Sequence, residues 1–497
     1  MIKYNQDTWN QVRKYENTLS IIFTLACKRF FGHETKVIIE HSINKGLYIE
    51  LDIDKKDIKT KTEKIKKEIK KIIEENIKIE KVKLSRQETI NIFKKQLMED
   101  KVLLFKTLER EFFELYKIDG YYFNINGPIE ERTSEIDKYD IKIEENGLVL
   151  IYPRKDTMEV IPKYAKQNKL LKVFKESENW AKLIGLKHVG DLNNHIINNG
   201  IEDIVRVNEA LHEKKIAQIA DEICQRESKI ILIAGPSSSG KTTFSQRLGV
   251  QLRVNGKKFH TVGLDDYFVE RHLTPRDEDG NYNFDTIDAL DVKLFNKDLK
   301  KLLNGEEVVI PTFNFKTGKR SFEKKPIKVD ENEYLIIEGI HGLNEKLTKD
   351  IDKKDKYKIY ISALTQLNVD NHNRVSTTDL RLIRRMIRDS KYRGYDAETT
   401  FEVWNNVRKG EEKYIFPFQE NADIMFNSSL IYEISVLKKY AVKILKEVKD
   451  DGKYGYEKNR LMRFLDFFIE LDDDSIIPNT SIIKEFIGGS CFRERTH

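Results

Sequence analysis

Residues 229–248, KIILIAGPSSSGKTTFSQRL, run an apolar stretch into a glycine- and serine-rich turn and then into a helical pattern. Gly235, Gly240, Lys241 and Thr242 satisfy the spacing GxxxxGK(S/T). The requirement is physical. Glycine lets the backbone wrap tightly, its N–H groups then point inward at phosphate oxygens, and the helix that follows offers its positive end to the same anion. Pro236, Ser237, Ser238, Ser239 and Thr243 complete the cradle. The pattern predicts that Lys241 reaches the terminal phosphates and that the Thr242 hydroxyl ligates Mg²⁺. KIILIA reads as a buried strand, and TTFSQRLGVQLRV as a helix closed by Asn255 and Gly256. Such a turn needs a parallel α/β sheet around it, and from Ile230 onward strand and helix patterns alternate as that sheet demands.

Two acids fall where this sheet would bring them to the turn. FHTVGL is a strand pattern that runs into Asp265, Asp266 and Tyr267. A carboxylate at the tip of a parallel strand faces the ligand crevice and can take a proton from an attacking hydroxyl. EYLIIEGIHGLN is another strand pattern, ending at Glu338, an acid suited to the Mg²⁺ shell. In DLRLIRRMIRDSKYRG, Arg381, Arg384, Arg385 and Arg388 recur at three to four residues on one helix face, with Arg393 just after. Guanidinium groups suit spread phosphate charge, so a lid is expected here, with Arg384 and Arg388 neutralising the transition state. A salt-bridged surface helix is the plainer alternative.

The chain has 497 residues, which implies two to four domains. A net charge of +6 is small for that length and does not by itself call for nucleic acid. The three cysteines, Cys27, Cys224 and Cys491, are far apart and form no disulfide or metal-pair pattern, which fits a reducing cytoplasm. The first residues are polar, without the apolar core of a signal peptide, and no apolar run approaches the roughly 20 residues needed to span a bilayer. A cytoplasmic protein without membrane contact is expected.

Ahead of the phosphate turn the reading is α+β. TLSIIFTLACKRFF (18–31) is a helix pattern, and TKVIIEHS and GLYIELDI are strands. EKIKKEIKKIIEENI places Ile65, Ile69, Ile72, Ile73 and Ile77 on one helical stripe, with Lys64, Lys66, Lys67, Lys70 and Lys71 on the other faces. Those lysines read as a solvated face or, alternatively, as an RNA-facing one. Ser85 and Glu88 form a capping-box pattern. The expected division is 1–155 α+β, 156–225 helical connector with breaks at Gly185, Gly190 and Gly200, 226–450 phosphate-loop domain, and 451–497 extension.

Over roughly residues 228–447 the chain resembles the uridine kinase and phosphoribulokinase branch of P-loop kinases. AGPSSSGKTT, LDDYF, NFDTIDALD (283–291), IEGIH, RRMIRD and ENADIMFN carry the resemblance. It implies that Asp265 is the base and that Phe284 and Asp285 face the acceptor. It also aligns IPTFNFKTGKR (310–320), with Phe313, Phe315 and Arg320, with the segment that grips a pyrimidine base. Uridine kinases place a tyrosine and a histidine there, whereas this chain has Phe313 and Gly318. Lost polar groups remove hydrogen bonds that a base edge would need.

More weakly, residues 15–155 resemble the editing-type domain of threonyl-tRNA synthetases, on ACKRFFGHETKVIIEHSINKGLYIELDI. Those domains use an HxxxH and a CxxxH pair, and this chain contains neither. Ile22 and Ala26, and Ile125 and Ile129, stand in their places. Cys27, His33 and His41 are the remaining candidates for replacement ligands. The tail KEFIGGSCF (484–492) has no physical account from sequence alone.

The function expected is ATP- and Mg²⁺-dependent phosphorylation of a small-molecule hydroxyl, foremost the 5′-hydroxyl of a nucleoside such as uridine. A different sugar or phosphosugar acceptor, and a nucleotide-dependent RNA (tRNA)-binding or regulatory protein, stand as alternatives. Oligomeric state is left open, a homo-oligomer among the options.

Overall fold

The computed structural model describes residues 6–492, apart from residues 44, 55, 146, 155–158, 227, 278, 279 and 316. The boundary expected near residue 155 lies outside the described residues. The chain forms two compact units, and the division does not follow the sequence in order. The first comprises Met1–Glu202, Thr365–Ser376 and Asp450–Leu471, the second Asp203–Leu364, Thr377–Lys449 and Asp472–His497.

In the first unit, Gln6–Phe31 is one long helix, starting earlier than its apolar stripe suggests. A four-stranded antiparallel sheet runs in the order Val37–Ile43, Gly46–Leu51, Gly147–Ile151, Asp140–Glu144. The long helix, this sheet and the helix Ile58–Glu74 share one core, to which the second helix contributes Ile65, Ile69 and Ile72. Ile73 and Ile77 pack at its margin. Ile22 and Ala26 are fully buried there and the partly buried Ile125 and Ile129 pack against the same core, so the positions aligned with metal-ligand pairs hold core side chains. Among the described residues, the only set of three or more histidine, cysteine or acid side chains whose ligand atoms lie within 4.8 Å of one another is Glu40, Glu50 and Glu178, not Cys27, His33 and His41. His41 instead stacks on Phe174, with ring centroids 3.7 Å apart. Ser85 and Glu88 make the capping box in both directions. Gly185 ends one helix in the left-handed conformation, but Gly190 lies inside the helix Val189–Ile197, contrary to the expected break.

The loop 365–376 is held in this unit by a buried ion pair. Lys101 Nζ lies 2.5 Å from Asp370 Oδ1, and both side chains are fully buried. Asp370 also accepts hydrogen bonds from Asn124 Nδ2 at 3.1 Å and from Asn373 Nδ2 at 2.9 Å.

The second unit is built on a five-stranded parallel sheet. Its strands are β1 (Ile230–Ala234), β2 (Lys258–Gly263), β3 (Glu333–Glu338), β4 (Lys356–Ser362) and β5 (Ile424–Asn427). The order is β2-β3-β1-β4-β5, every neighbour parallel. β1 is buried along its whole length, as its uninterrupted apolar run requires. The helices are α1 (Lys241–Val254), α2 (Val292–Leu303), α3 (Thr377–Tyr392), α4 (Ala397–Tyr414) and α5 (Glu433–Leu445). The chain leaves β1 toward β2 on one side and crosses from β3 past β1 to β4 on the other, so the carboxyl ends of β1 and β3 open a crevice at the switch point. Among the described residues no helix is long and apolar enough to cross a membrane.

Removing Asp370 leaves Lys101 charged and buried without its partner. Asp370→Ala is expected to destabilise the first unit by about 3–5 kcal/mol, read as a lower urea midpoint for its transition.

Candidate active site

The turn between β1 and α1 is shaped by two glycines. A Cβ on Gly235 would lie 2.0 Å from the Ile361 carbonyl oxygen of β4, so only glycine lets the chain leave the sheet there. Gly240 caps α1 at φ +83, a left-handed conformation that glycine adopts without strain. Lys241 Nζ donates to the carbonyls of Gly235 at 2.9 Å and Pro236 at 3.1 Å. Burial holds its pKa below the usual lysine value, and the charges of Glu338, Glu485 and Asp265 oppose that shift. Three acids therefore converge on one ammonium group.

Thr242 Oγ1 donates to Glu338 Oε1 at 3.2 Å, and Ser245 Oγ lies 3.3 Å from Glu338 Oε2. A hydroxyl beside a carboxylate at the end of β3 is a set of hard oxygens that fits Mg²⁺. Ser238 and Ser239 bury hydroxyls that have no hydrogen-bond partner among the described residues, as a cradle for phosphate oxygens would. These residues fit a nucleotide with its metal.

The arginine helix α3 is not a free lid face. Arg381 donates from Nη1 to the Ser237 carbonyl at 3.1 Å and pairs through both terminal nitrogens with Glu411, which in turn accepts the Ser237 amide at 3.0 Å. Arg385 Nη1 donates to Ser237 Oγ at 2.9 Å. Arg384, expected to face the phosphates, is fully buried. It is ion-paired with Glu433 at 2.6 Å and donates to the carbonyls of Ser428 at 2.9 Å and Ser238 at 3.3 Å. Its charge is balanced inside the fold, so it supports the turn from behind. Arg388 donates twice to Asp389 and opposes protonation of Lys241, which sets it beside the turn.

On the acceptor side, Asp265 lies in a short 3-10 turn, Leu264–Tyr267, directly after β2. The Tyr267 hydroxyl donates to Asp298 of α2 at 3.1 Å and pins that turn. Asp285 is pushed up to about 6, first by burial and then by the charges of Glu411 and Asp265, with Arg385 opposing. Phe284 packs with Phe268, Phe313 and Phe315 in an aromatic cluster. Phe268 lies 5.3, 5.6 and 5.9 Å from the other three centroids, all edge to face. Phe313 is only 4% exposed and belongs to the core. Arg320 donates to Asp291 at 3.0 Å, and Asp291 also caps α2. Phe313 and Arg320 are thus engaged within the fold, while Phe284, Phe315 and Asp285 remain half-buried.

Sequence reading missed Glu411, Glu433, Asp389 and Glu485. Asp389 closes the RRMIRD stretch and pairs with arginines of its own helix and just after it, whereas Glu411, Glu433 and Glu485 find their partners only through packing of α1, α3, α4, α5 and the segment after residue 472.

Asp285 has a folded pKa above its unfolded value of about 3.8. It therefore binds more protons folded than unfolded between about pH 4 and 6, and stability falls as pH rises through that window. The total is about 3 kcal/mol. Asp285→Asn is expected to raise the thermal midpoint at pH 7 and to flatten the decline between pH 4 and 6, measured by calorimetry across pH.

Residues 230–435 match the phosphoribulokinase/uridine kinase family. The uridine kinase of Staphylococcus epidermidis is 31% identical over 200 residues, covering 40% of this chain and 87% of its own. That of Staphylococcus aureus is 32% identical over 207 residues, with the same shares. The solved structure of a possible uridine kinase from Bacillus stearothermophilus aligns over 43% of this chain and 98% of its own, at 20% identity and a TM-score of 0.30. Through its second unit, this chain belongs to the phosphoribulokinase/uridine kinase family.

Proposed function

We propose that the chain transfers the terminal phosphoryl group of ATP to the hydroxyl of a small molecule, foremost the 5′-hydroxyl of a nucleoside such as uridine. The observation that carries this reading is the meeting of Lys241, the Thr242–Glu338 pair and Asp265 at the head of α1. Membership of the kinase family and the names of the staphylococcal relatives support the nucleoside.

Lys241 and the amides of residues 238–243 hold the phosphates, the amides acting as preorganised donors. Thr242 and Glu338 would hold Mg²⁺, which would supply positive charge against the phosphate oxygens. Asp265 accepts the proton of the acceptor hydroxyl as its oxygen bonds to phosphorus and the bond to ADP breaks. Arg388 adds positive charge beside Lys241, while Arg384 keeps the turn in shape. Phe284 and Phe315 give the acceptor an apolar wall, and Asp285 stands beside it as a hydrogen-bonding group. A wall of phenylalanines favours stacking on a flat ring over reading its edge. A sugar or phosphosugar acceptor is the alternative, and the same acid would serve it.

Asp265→Asn is expected to leave ATP affinity nearly unchanged and to lower turnover by about 10²–10⁴-fold. Calorimetric ATP titration beside single-turnover ADP release checks this, and retained turnover removes Asp265 as the base. The acceptor follows from ADP release with a panel of nucleosides and phosphosugars in the presence of Mg²⁺-ATP.

For the first unit we propose a synthetase-editing-like α+β shape without hydrolytic chemistry, since its aligned ligand positions hold core residues. A nucleotide-dependent RNA-binding or regulatory role keeps one observation in its favour, the exposure of Lys64, Lys67, Lys70 and Lys71 on the helix Ile58–Glu74. Lys70 and Lys71 each face an acid one turn on, Glu74 and Glu75. A filter titration with tRNA decides: binding that weakens steeply with salt supports the role, and no affinity at low salt ends it.

A further inference from the structure

The segment after residue 472 belongs to the second unit, and the function proposed above makes no use of it. Ile482 and Phe486 are fully buried in the core that also holds Ile231, Ile233 and Phe244. The Arg384 guanidinium lies 4.9 Å from the Phe486 ring centroid, and Lys391 Nζ donates to the Ile487 carbonyl at 2.6 Å. Ile482 approaches the phosphate turn so closely that a Cβ on Gly240 would lie 2.6 Å from its Cγ2. Core packing on two side chains thus fixes where the half-buried Glu485 between them can reach.

Glu485 reaches the head of α1. Its Oε2 accepts from the Thr243 hydroxyl at 2.7 Å and from the Thr243 amide at 3.2 Å. Its charge is also felt at Lys241. The first amides of a helix have no partner within it, and they are the groups an anion at that end would take. A carboxylate and a phosphate oxygen therefore ask for the same two donors. Both are negative, and in a site shielded from water their repulsion is several-fold stronger than in bulk solvent.

We propose that Glu485 is an internal competitor at the nucleotide site. Its carboxylate rests on Thr243, and a nucleotide phosphate takes Thr243 only by displacing it, so the segment 481–487 sets nucleotide affinity. This rests on the phosphate-turn reading given above. Displacement leaves Ile482 and Phe486 in the core, because only the Glu485 side chain has to swing away. Apparent affinity is the intrinsic affinity multiplied by the fraction of molecules in which Thr243 is released. The device makes the empty turn self-satisfied and disfavours weak or partial phosphate ligands.

Glu485→Gln keeps the shape and removes the charge. Calorimetric titration of full-length wild type and Glu485→Gln with ATP, with thermal melting to confirm that both are folded, tests the competition. The variant is expected to bind ATP about tenfold more tightly, as it would if Thr243 were released in about a tenth of wild-type molecules. Equal or weaker binding by the variant overturns the competition while leaving the kinase reading standing. If neither folded protein binds ATP, both readings fall together.

Discussion

A turn of backbone can present its amides to an anion only if its carbonyls are satisfied on the other side. In this chain that task falls to α3. Arg381 and Arg384 donate to the carbonyls of Ser237 and Ser238, and Arg385 to the Ser237 hydroxyl, while Glu411 accepts the Ser237 amide. Each buried arginine is in turn neutralised, Arg381 by Glu411 and Arg384 by Glu433. A buried charge without such a partner would be too costly to keep. The lattice explains why arginine fills these positions. A planar guanidinium can hold a carboxylate with some of its N–H groups and a carbonyl with another, which a lysine ammonium does with far less directional control.

This arrangement also marks how far the sequence could be read. β1, its turn and α1 were legible because each is written locally: an apolar run, glycines where the path needs them, and a helix ended by Asn255 and Gly256. Strands β2 and β3 and the capping box at Ser85 were legible for the same reason, whereas β5 entered only through the family resemblance of ENADIMFN. The arginine face was seen, but its direction was not. A helical stripe shows which side chains share a face, not whether that face meets solvent or a buried Glu411 thirty residues away. The loop 365–376 and the helix Gly455–Leu465 belong to the first unit although they lie beyond β4 and α5 in sequence, because units are defined by packing rather than by order. Asp370 shows the point: its partners Lys101 and Asn124 are more than two hundred residues away.

The first unit carries the complementary lesson. Resemblance supplied a shape in which certain positions hold metal ligands, and the residues at those positions, Ile22, Ala26, Ile125 and Ile129, are apolar. The structure puts that apolarity to use, since all four contribute to one continuous core. A histidine introduced at any of these positions would have to bury its polar atoms among isoleucines, which is unfavourable.

Electrostatics around the turn set the terms on which a triphosphate can enter. Arg381 and Arg384 are balanced by Glu411 and Glu433, and Asp389 sits against Arg385, Arg388 and Arg393. The charges that act on Lys241 are then mostly acids: Glu338, Glu485 and Asp265, with Arg388 alone among the largest contributors opposing them. An acid-rich approach repels a polyanion, so under the proposed reaction the nucleotide would arrive with compensating cation, for which Glu338 beside Thr242 offers hard oxygens. The same surplus acts on Asp285, whose proton affinity rises with burial and with the charges of Glu411 and Asp265. Packing thus holds a surplus of carboxylate close to one buried ammonium, the charge pattern on which the proposed metal-bound donor and general base would both draw.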